Sequence, residues 1–319
     1  MNDKSHPTHA SAPDDLGWST EQRNPATAEI DTLSTDRLVE VLVAADADVA
    51  QAVAAVAPQI TAAVELAVEA LAEGGRIHYV GAGTSGRLGV LDAVELYPTY
   101  GVGEDMVVAH LAGGDGAMMR TVEGAEDDEQ EAAVLVAEAG EHDLFVGIAA
   151  SGRTPYVGGA LRAARERGLA TVLVANNPRA ALAPLADVAI LLDTGPEVIT
   201  GSTRMKSATA QKMVLNTFST ATMVRLGRTY QNLMINLIAT NHKLEKRMVN
   251  MVVQGAGVDA ATAEVLVRGA EGDLRVAMVA ALAGVDPMRA LAALRDHDPD
   301  PRRVGDPSGI RTAVASLRG

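Results

Sequence analysis

The chain has 319 residues, 48% of them hydrophobic but only 3% aromatic, which gives a prior of about two domains built on an aliphatic core. Forty-one acids against 27 bases leave a net charge of −14 and argue against unassisted binding to nucleic acid or to an anionic membrane surface. The absence of cysteine excludes disulfides, thiolate nucleophiles and Cys-based metal sites.

Residues 1–18 are rich in Ser, Pro, His and Asp and read as a disordered tail. The first 13 lack the apolar run of a signal peptide, and no stretch reaches about 18 apolar residues without charge. A soluble cytoplasmic protein is therefore expected. Residues 34–72 have helical spacing, with Ser34 or Thr35 as N-cap and Pro58 dividing two helices. Short apolar runs follow at 77–80, 106–111, 144–149, 171–175 and 188–192, each reading as a buried strand. Helical text separates them, as at 154–167, and this alternation predicts a parallel sheet covered on both faces. Helix resumes at 210–226 and 233–252. The end of the chain reads as three short helices at 259–268, 274–282 and 286–294.

The strongest local signal is Gly81-Ala82-Gly83-Thr84-Ser85-Gly86-Arg87, placed between a predicted strand and a helix. Glycines admit a ligand close to the backbone, and a helix N-terminus attracts anions. As a bare string it satisfies the dinucleotide fingerprint, but that fingerprint wants an acid at the tip of the next strand. Here the next strand ends in Leu-Ala-Gly-Gly, with Glu104 and Asp105 lying before it. The adjacent hydroxyls of Thr84 and Ser85 suit a phosphate monoester better. A second loop of the same kind, Ala150-Ser151-Gly152-Arg153-Thr154, also follows a predicted strand. Two such loops can converge at the carboxyl end of one parallel sheet, where α/β ligands bind. Ordinary helix capping is the alternative use of these hydroxyls.

Among the carboxylates, Glu95 lies among apolar neighbours near a helix end, and Glu123 and Glu126 are spaced to share a helix face. Most acids in so acidic a chain are solvated. The seven histidines show no metal-ligand spacing. The methionines at 205, 213, 223 and 234 read as core. Gly201-Ser202-Thr203-Arg204-Met205-Lys206-Ser207 is either a helix entry or a further wall of an anionic pocket.

Together these blocks resemble the N-acetylmuramic acid 6-phosphate etherase family within the wider sugar-isomerase (SIS) superfamily. The likeness rests on residues 81–89 with Leu91-Asp92-Ala93 and Glu95, on Glu123-Gly124-Ala125-Glu126-Asp127, and on residues 147–156. It extends to Thr27-Ala28-Glu29-Ile30-Asp31, to residues 201–206, to Asn232-Leu233-Met234 and to Ala239-Thr240-Asn241. The resemblance implies an α/β SIS-type parallel sheet flanked by helices, with N-terminal helices before it. A phosphosugar-binding catalytic domain would span 19–250 (core about 66–229), with a small helical domain at 251–319. It implies cleavage of the D-lactyl ether of N-acetylmuramic acid 6-phosphate by elimination and hydration, giving N-acetylglucosamine 6-phosphate and D-lactate. Glu95 would match the proton donor and Glu126 the second catalytic glutamate. Gly83, Thr84, Ser85, Ser151, Gly152, Arg153 and Thr154 would contact the substrate, with Arg87 a further candidate for the phosphate. No metal or cofactor is required, and a homodimer working in cell-wall amino-sugar recycling is implied. One departure stands beside Glu95: the family's Cys-Pro-Pro is replaced by Leu96-Tyr97-Pro98. The competing readings are a phosphosugar-binding regulator, which has no use for an acid–base pair, and an aldose–ketose isomerase, which would not expel a C3 ether.

Overall fold

The computed structural model describes residues 20–237 and 242–319. The predicted tail and the Ala239-Thr240-Asn241 block lie outside the described residues. Five parallel strands form the central sheet: β1 (Ile77–Gly81), β2 (Val107–Leu111), β3 (Leu144–Ile148), β4 (Ala170–Ala175) and β5 (Val188–Leu191), in the order β2-β1-β3-β4-β5. Every residue of β1 and β3 is buried. That is why these strands read as unbroken apolar runs rather than alternating ones.

Helices cover both faces. One core packs α3 (Ala57–Ala72), α4 (Gly83–Tyr100) and α8 (Lys206–Arg225) against Ile77, Tyr79, Val146, Ile148 and Val174. The opposite core packs α6 (Glu129–Ala137) and α7 (Pro155–Glu166) against Val80, Phe145 and Leu173. The short α5 (Gly116–Met119) follows β2. The N-terminal region holds three helices where two were expected: α1 (Thr35–Ala45) and α2 (Val49–Ala55) precede α3. Pro58 does mark a helix boundary: α2 ends at Ala55, and Pro58 sits in the first turn of α3, where its missing N–H costs no hydrogen bond.

The helix expected over 233–252 is also corrected. A hairpin of β6 (Thr229–Tyr230) and β7 (Leu233–Met234) comes first, and α9 spans His242–Ala256. Then come α10 (Ala260–Gly269), α11 (Leu274–Ala283), α12 (Pro287–Arg295) and an unexpected α13 (Ile310–Arg318). These helices and the hairpin share one core, from Tyr230 and Leu233 to Ile310 and Val314. Among the described residues, no single helix is long and apolar enough to cross a membrane.

Candidate active site

From β1 the chain moves to β2 on one side, then returns to lay β3 on the other. The order therefore reverses at β1 and β3, and a crevice opens at their carboxyl ends. Gly81 pairs with Ile148, so the two glycine–hydroxyl loops leave from neighbouring strand ends. The convergence expected from sequence is present.

Each glycine in these loops has its own reason. A Cβ at Gly86 would lie 2.4 Å from Gly81 O, and one at Gly81 would lie 2.8 Å from Gly86 N, so α4 starts directly on the strand end. Gly152, at φ +69°, has Ala180 Cβ only 2.3 Å from where its own Cβ would be. Helix capping does not account for the hydroxyls. Ala82 is the N-cap of α4, and Thr154 is the N-cap of α7 without a side-chain cap bond. Ser85 is the exception among the predicted hydroxyl contacts: it is buried and donates to Gln211 Oε1 (2.9 Å), whose amide donates to Asn176 Oδ1 (3.0 Å). Ser85 thus ties α4 to α8 and the end of β4, while Thr84, Ser151 and Thr154 remain half-exposed at the crevice with Arg153 beside them.

Glu126 is exposed on a 3₁₀ turn, Ala125–Asp127. It shares a recess of about 280 Å³ with Gly83, Arg87 and Glu123. Gly124, at φ +75°, separates the two glutamates, so they do not share a helix face as their spacing suggested. Arg87 is not free for phosphate: its guanidinium donates to the carbonyls of Ala117, Met118 and Arg120 and pins the α5 loop. Glu95 stands apart. It is exposed on α4, 12 residues beyond Gly83, about 18 Å along the helix axis. It lines a separate groove of about 710 Å³ along the open edge of β2, with Tyr97, His110, Asp115 and Tyr156. Within one chain the glycine loops therefore meet Glu126 and not Glu95.

Two family models match the chain: the glucokinase regulatory protein N-terminal SIS domain over residues 59–165 and the SIS domain over residues 119–221. An N-acetylmuramic acid 6-phosphate etherase of Thermobifida fusca is 51% identical over 263 residues, 82% of this chain and 86% of its own length. One from Symbiobacterium thermophilum is 54% identical over 267 residues, 83% and 89% of the two chains. The chain belongs to the N-acetylmuramic acid 6-phosphate etherase family. Among solved structures, a phosphoheptose isomerase from Francisella tularensis aligns with a TM-score of 0.46 and 19% identity, over 59% of this chain and 96% of its own.

Three features of this etherase-family chain escaped sequence reasoning. A buried Asp143 accepts from Arg76 N (2.8 Å) and Gly140 N (2.8 Å) and meets His78 Nε2 at 2.8 Å. His78 Nδ1 meets His110 Nε2 at 2.9 Å, which carries the chain of contacts to the β2 groove. Burial pushes His110 down to about 4, with His78 adding to the effect, and burial also lowers His78 against the pull of Asp143. Burial alone would raise Asp143, but the hydrogen bonds from Gly140, His78 and Arg76 outweigh it and hold the carboxyl below its usual range. The ionised carboxylate therefore accepts a hydrogen bond from His78 Nε2–H, His78 Nδ1 accepts, and His110 Nε2–H donates to it.

Asp92 is the second feature. It is buried in α4 and accepts from Tyr79 OH (2.9 Å) and Ser219 Oγ (3.2 Å), and burial raises its pKa. The third is Glu197, fully buried, which accepts from Lys206 N (3.0 Å) and Ser207 N (2.9 Å) and caps α8. The 201–207 segment is thus a helix entry, and Lys206 Nζ is held by Thr194 O (2.6 Å). Of these, only the helix entry had a sequence signal; the others depend on strand register.

Proposed function

We propose that the chain is an N-acetylmuramic acid 6-phosphate etherase, a carbon–oxygen lyase releasing D-lactate and N-acetylglucosamine 6-phosphate. The observation that carries this reading is the pair of hydroxyl–glycine loops on the adjoining ends of β1 and β3, with Glu126 in the recess beside them. Supporting it are relatives at about half identity that cover most of the chain and bear that name.

In the open-chain sugar the C1 aldehyde acidifies C2–H. A base removes that proton while an acid protonates the ether oxygen leaving C3. Water then adds at C3 of the unsaturated aldehyde. Glu126 is the base and Glu95 the proton donor; the two carboxylates need opposite protonation states during elimination. Thr84, Ser151, Gly152, Arg153 and Thr154, with the open backbone of Gly83, hold the phosphate and sugar. Ser85 holds the loop through Gln211 rather than reaching outward.

Glu95 joins the reaction from a second copy of the chain. The support is its distance along α4 and the apolar surface around it. Leu91, Val94 and Tyr97 on α4, with Met118 and Met119, are exposed along the unpaired edge of β2. A homodimer buries that surface and covers the edge. Leu96, where the family has Cys, is buried in the core, whereas Tyr97 faces the groove beside Glu95. The setting is the cytoplasm, where amino sugars released from the cell wall are recycled.

The test is D-lactate release from N-acetylmuramic acid 6-phosphate. Wild type releases lactate, and Glu95→Gln and Glu126→Gln each lose on the order of 10²-fold or more. Tight binding of the substrate with no lactate from wild type would instead identify a phosphosugar-binding regulator.

A further inference from the structure

The junction between the sheet unit and the C-terminal helices encloses a pocket that the reaction above does not use. The two units touch just after α8. A Cβ at Gly227 (φ +74°) would lie 2.5 Å from Pro307 O, so only glycine fits there. The next residue, Arg228, lines a cavity of about 310 Å³ with Leu71 and Met106 on one side and Asn236, Asp273 and Arg275 on the other.

Two guanidiniums, Arg228 and Arg275, line this cavity against one carboxylate, Asp273. Arg228 is half-buried, and among the described residues its guanidinium makes one hydrogen bond, from Nη2 to the Met106 thioether at 3.4 Å. No carboxylate lies within 4.0 Å of it among those residues. A guanidinium carries five N–H donors, and a thioether is a weak acceptor. Arg275, its side chain 15% exposed, donates to the carbonyls of Ser308 and His297, both at 2.8 Å. Its nearest carboxylate is the exposed Asp298, at 3.9 Å.

Of the acids nearby, Asp273 lines the cavity with one carboxylate oxygen engaged, and Asp306 has both engaged. Asp273 Oδ1 accepts from Arg275 N (2.9 Å) and Val276 N (3.0 Å) at the start of α11. Asp306 accepts from Thr312 N and from the Thr312 and Ser308 hydroxyls. Around Arg275, Arg303 adds a positive charge against the carboxylates of Asp298, Asp273 and Asp306. The carboxamide oxygen of Asn236 is buried without a partner, so turning this amide to present its nitrogen sacrifices no hydrogen bond.

A half-buried cation with unspent donors is costly unless something supplies the missing charge. The planar fork of arginine matches a phosphate or carboxylate, and the cavity lies at the small end of ligand pockets. We propose that Arg228, Arg275 and Asn236 form an inter-unit site for a compact phosphate-class oxyanion, separate from the glycine loops. The occupant is free phosphate or the phosphate end of a sugar phosphate, and it ties the C-terminal helices to the sheet unit.

Equilibrium dialysis of the full chain against radiolabelled inorganic phosphate tests this. Wild type is expected to hold one more phosphate per chain than Arg228→Gln. The near-isosteric Asn236→Asp, which places a like charge in the cavity, should show the same loss, and Arg228→Lys should bind about tenfold more weakly. Saturating N-acetylglucosamine 6-phosphate separates the two sources. Displacement of the Arg228-dependent phosphate identifies the sugar phosphate as a ligand of this site, and persistence identifies free phosphate. Equal stoichiometry in wild type and in either Arg228→Gln or Asn236→Asp, with native circular dichroism, overturns the proposal. So does a wild type that binds no Arg228-dependent phosphate.

Discussion

At the scale of single residues, the buried Asp143–His78–His110 chain makes a signed prediction about pH. The unfolded His110 titrates near 6.5 and the folded one near about 4, so the unfolded chain binds more protons between these values. Stability is therefore complete above about pH 6.5 and falls as the pH drops towards 4, by up to about 3 kcal/mol from this group. His78, also lowered, acts in the same direction, and Asp143 extends the loss to more acid pH. Urea midpoints measured between pH 7.5 and 4 should decline, and His110→Leu should flatten that slope. A slope unchanged in the variant would contradict the account. None of this was legible beforehand. The two histidines lie on different strands, and only the pairing of Val80 with His110, with His78 two residues from Val80, shows that they share a sheet face.

At the scale of elements, α4 carries Thr84, Ser85 and Glu95. Its first turn rests on β1, and two buried polar ties bind it to α8: Ser85 with Gln211, and Asp92 with Ser219. The glycines at its start separate steric from conformational cost. Gly86→Ala forces a Cβ into Gly81 O at 2.4 Å and should cost about 2 kcal/mol or more, seen as a lowered melting temperature. Gly83→Ala meets no atom within 4 Å, and its cost is the positive φ alone, about 1 kcal/mol. Equal melting temperatures for the two variants would refute the close packing of α4 on β1. All five strands were readable to within about a residue: burial on both faces leaves unbroken apolar runs in β1, β3 and β4, and the half-buried edge strands β2 and β5 are still short runs of mostly apolar residues. The β6–β7 hairpin was not, since two-residue strands are too short to show a period. α13 was missed for a different reason: it follows a stretch rich in Asp, Pro and Gly that ended the helical pattern.

At the scale of the whole molecule, the two glycine–hydroxyl loops were legible as motifs, yet their relation to Glu95 was not. Motif order places Glu95 close to Gly83 in sequence, but a helix converts those residues into about 18 Å. If the active site is shared between copies, mixing Glu95→Gln with Glu126→Gln protein under exchange should restore activity. In a two-fold dimer, random assortment gives half mixed dimers with one intact site of two, so about one quarter of wild-type lactate release is expected. No recovery, with exchange demonstrated, would place both glutamates in one chain's site.

The claim on which the rest depends is that the ether is broken at C3 by elimination and then hydration. The direct measurement is the reaction run in D₂O enriched in ¹⁸O, with both products analysed by mass spectrometry and NMR. Elimination and hydration predict deuterium at C2 and ¹⁸O at C3 of the sugar, with unlabelled oxygen in the lactate ether position. The heavy oxygen in lactate, with C2–H retained in the sugar, would contradict the account.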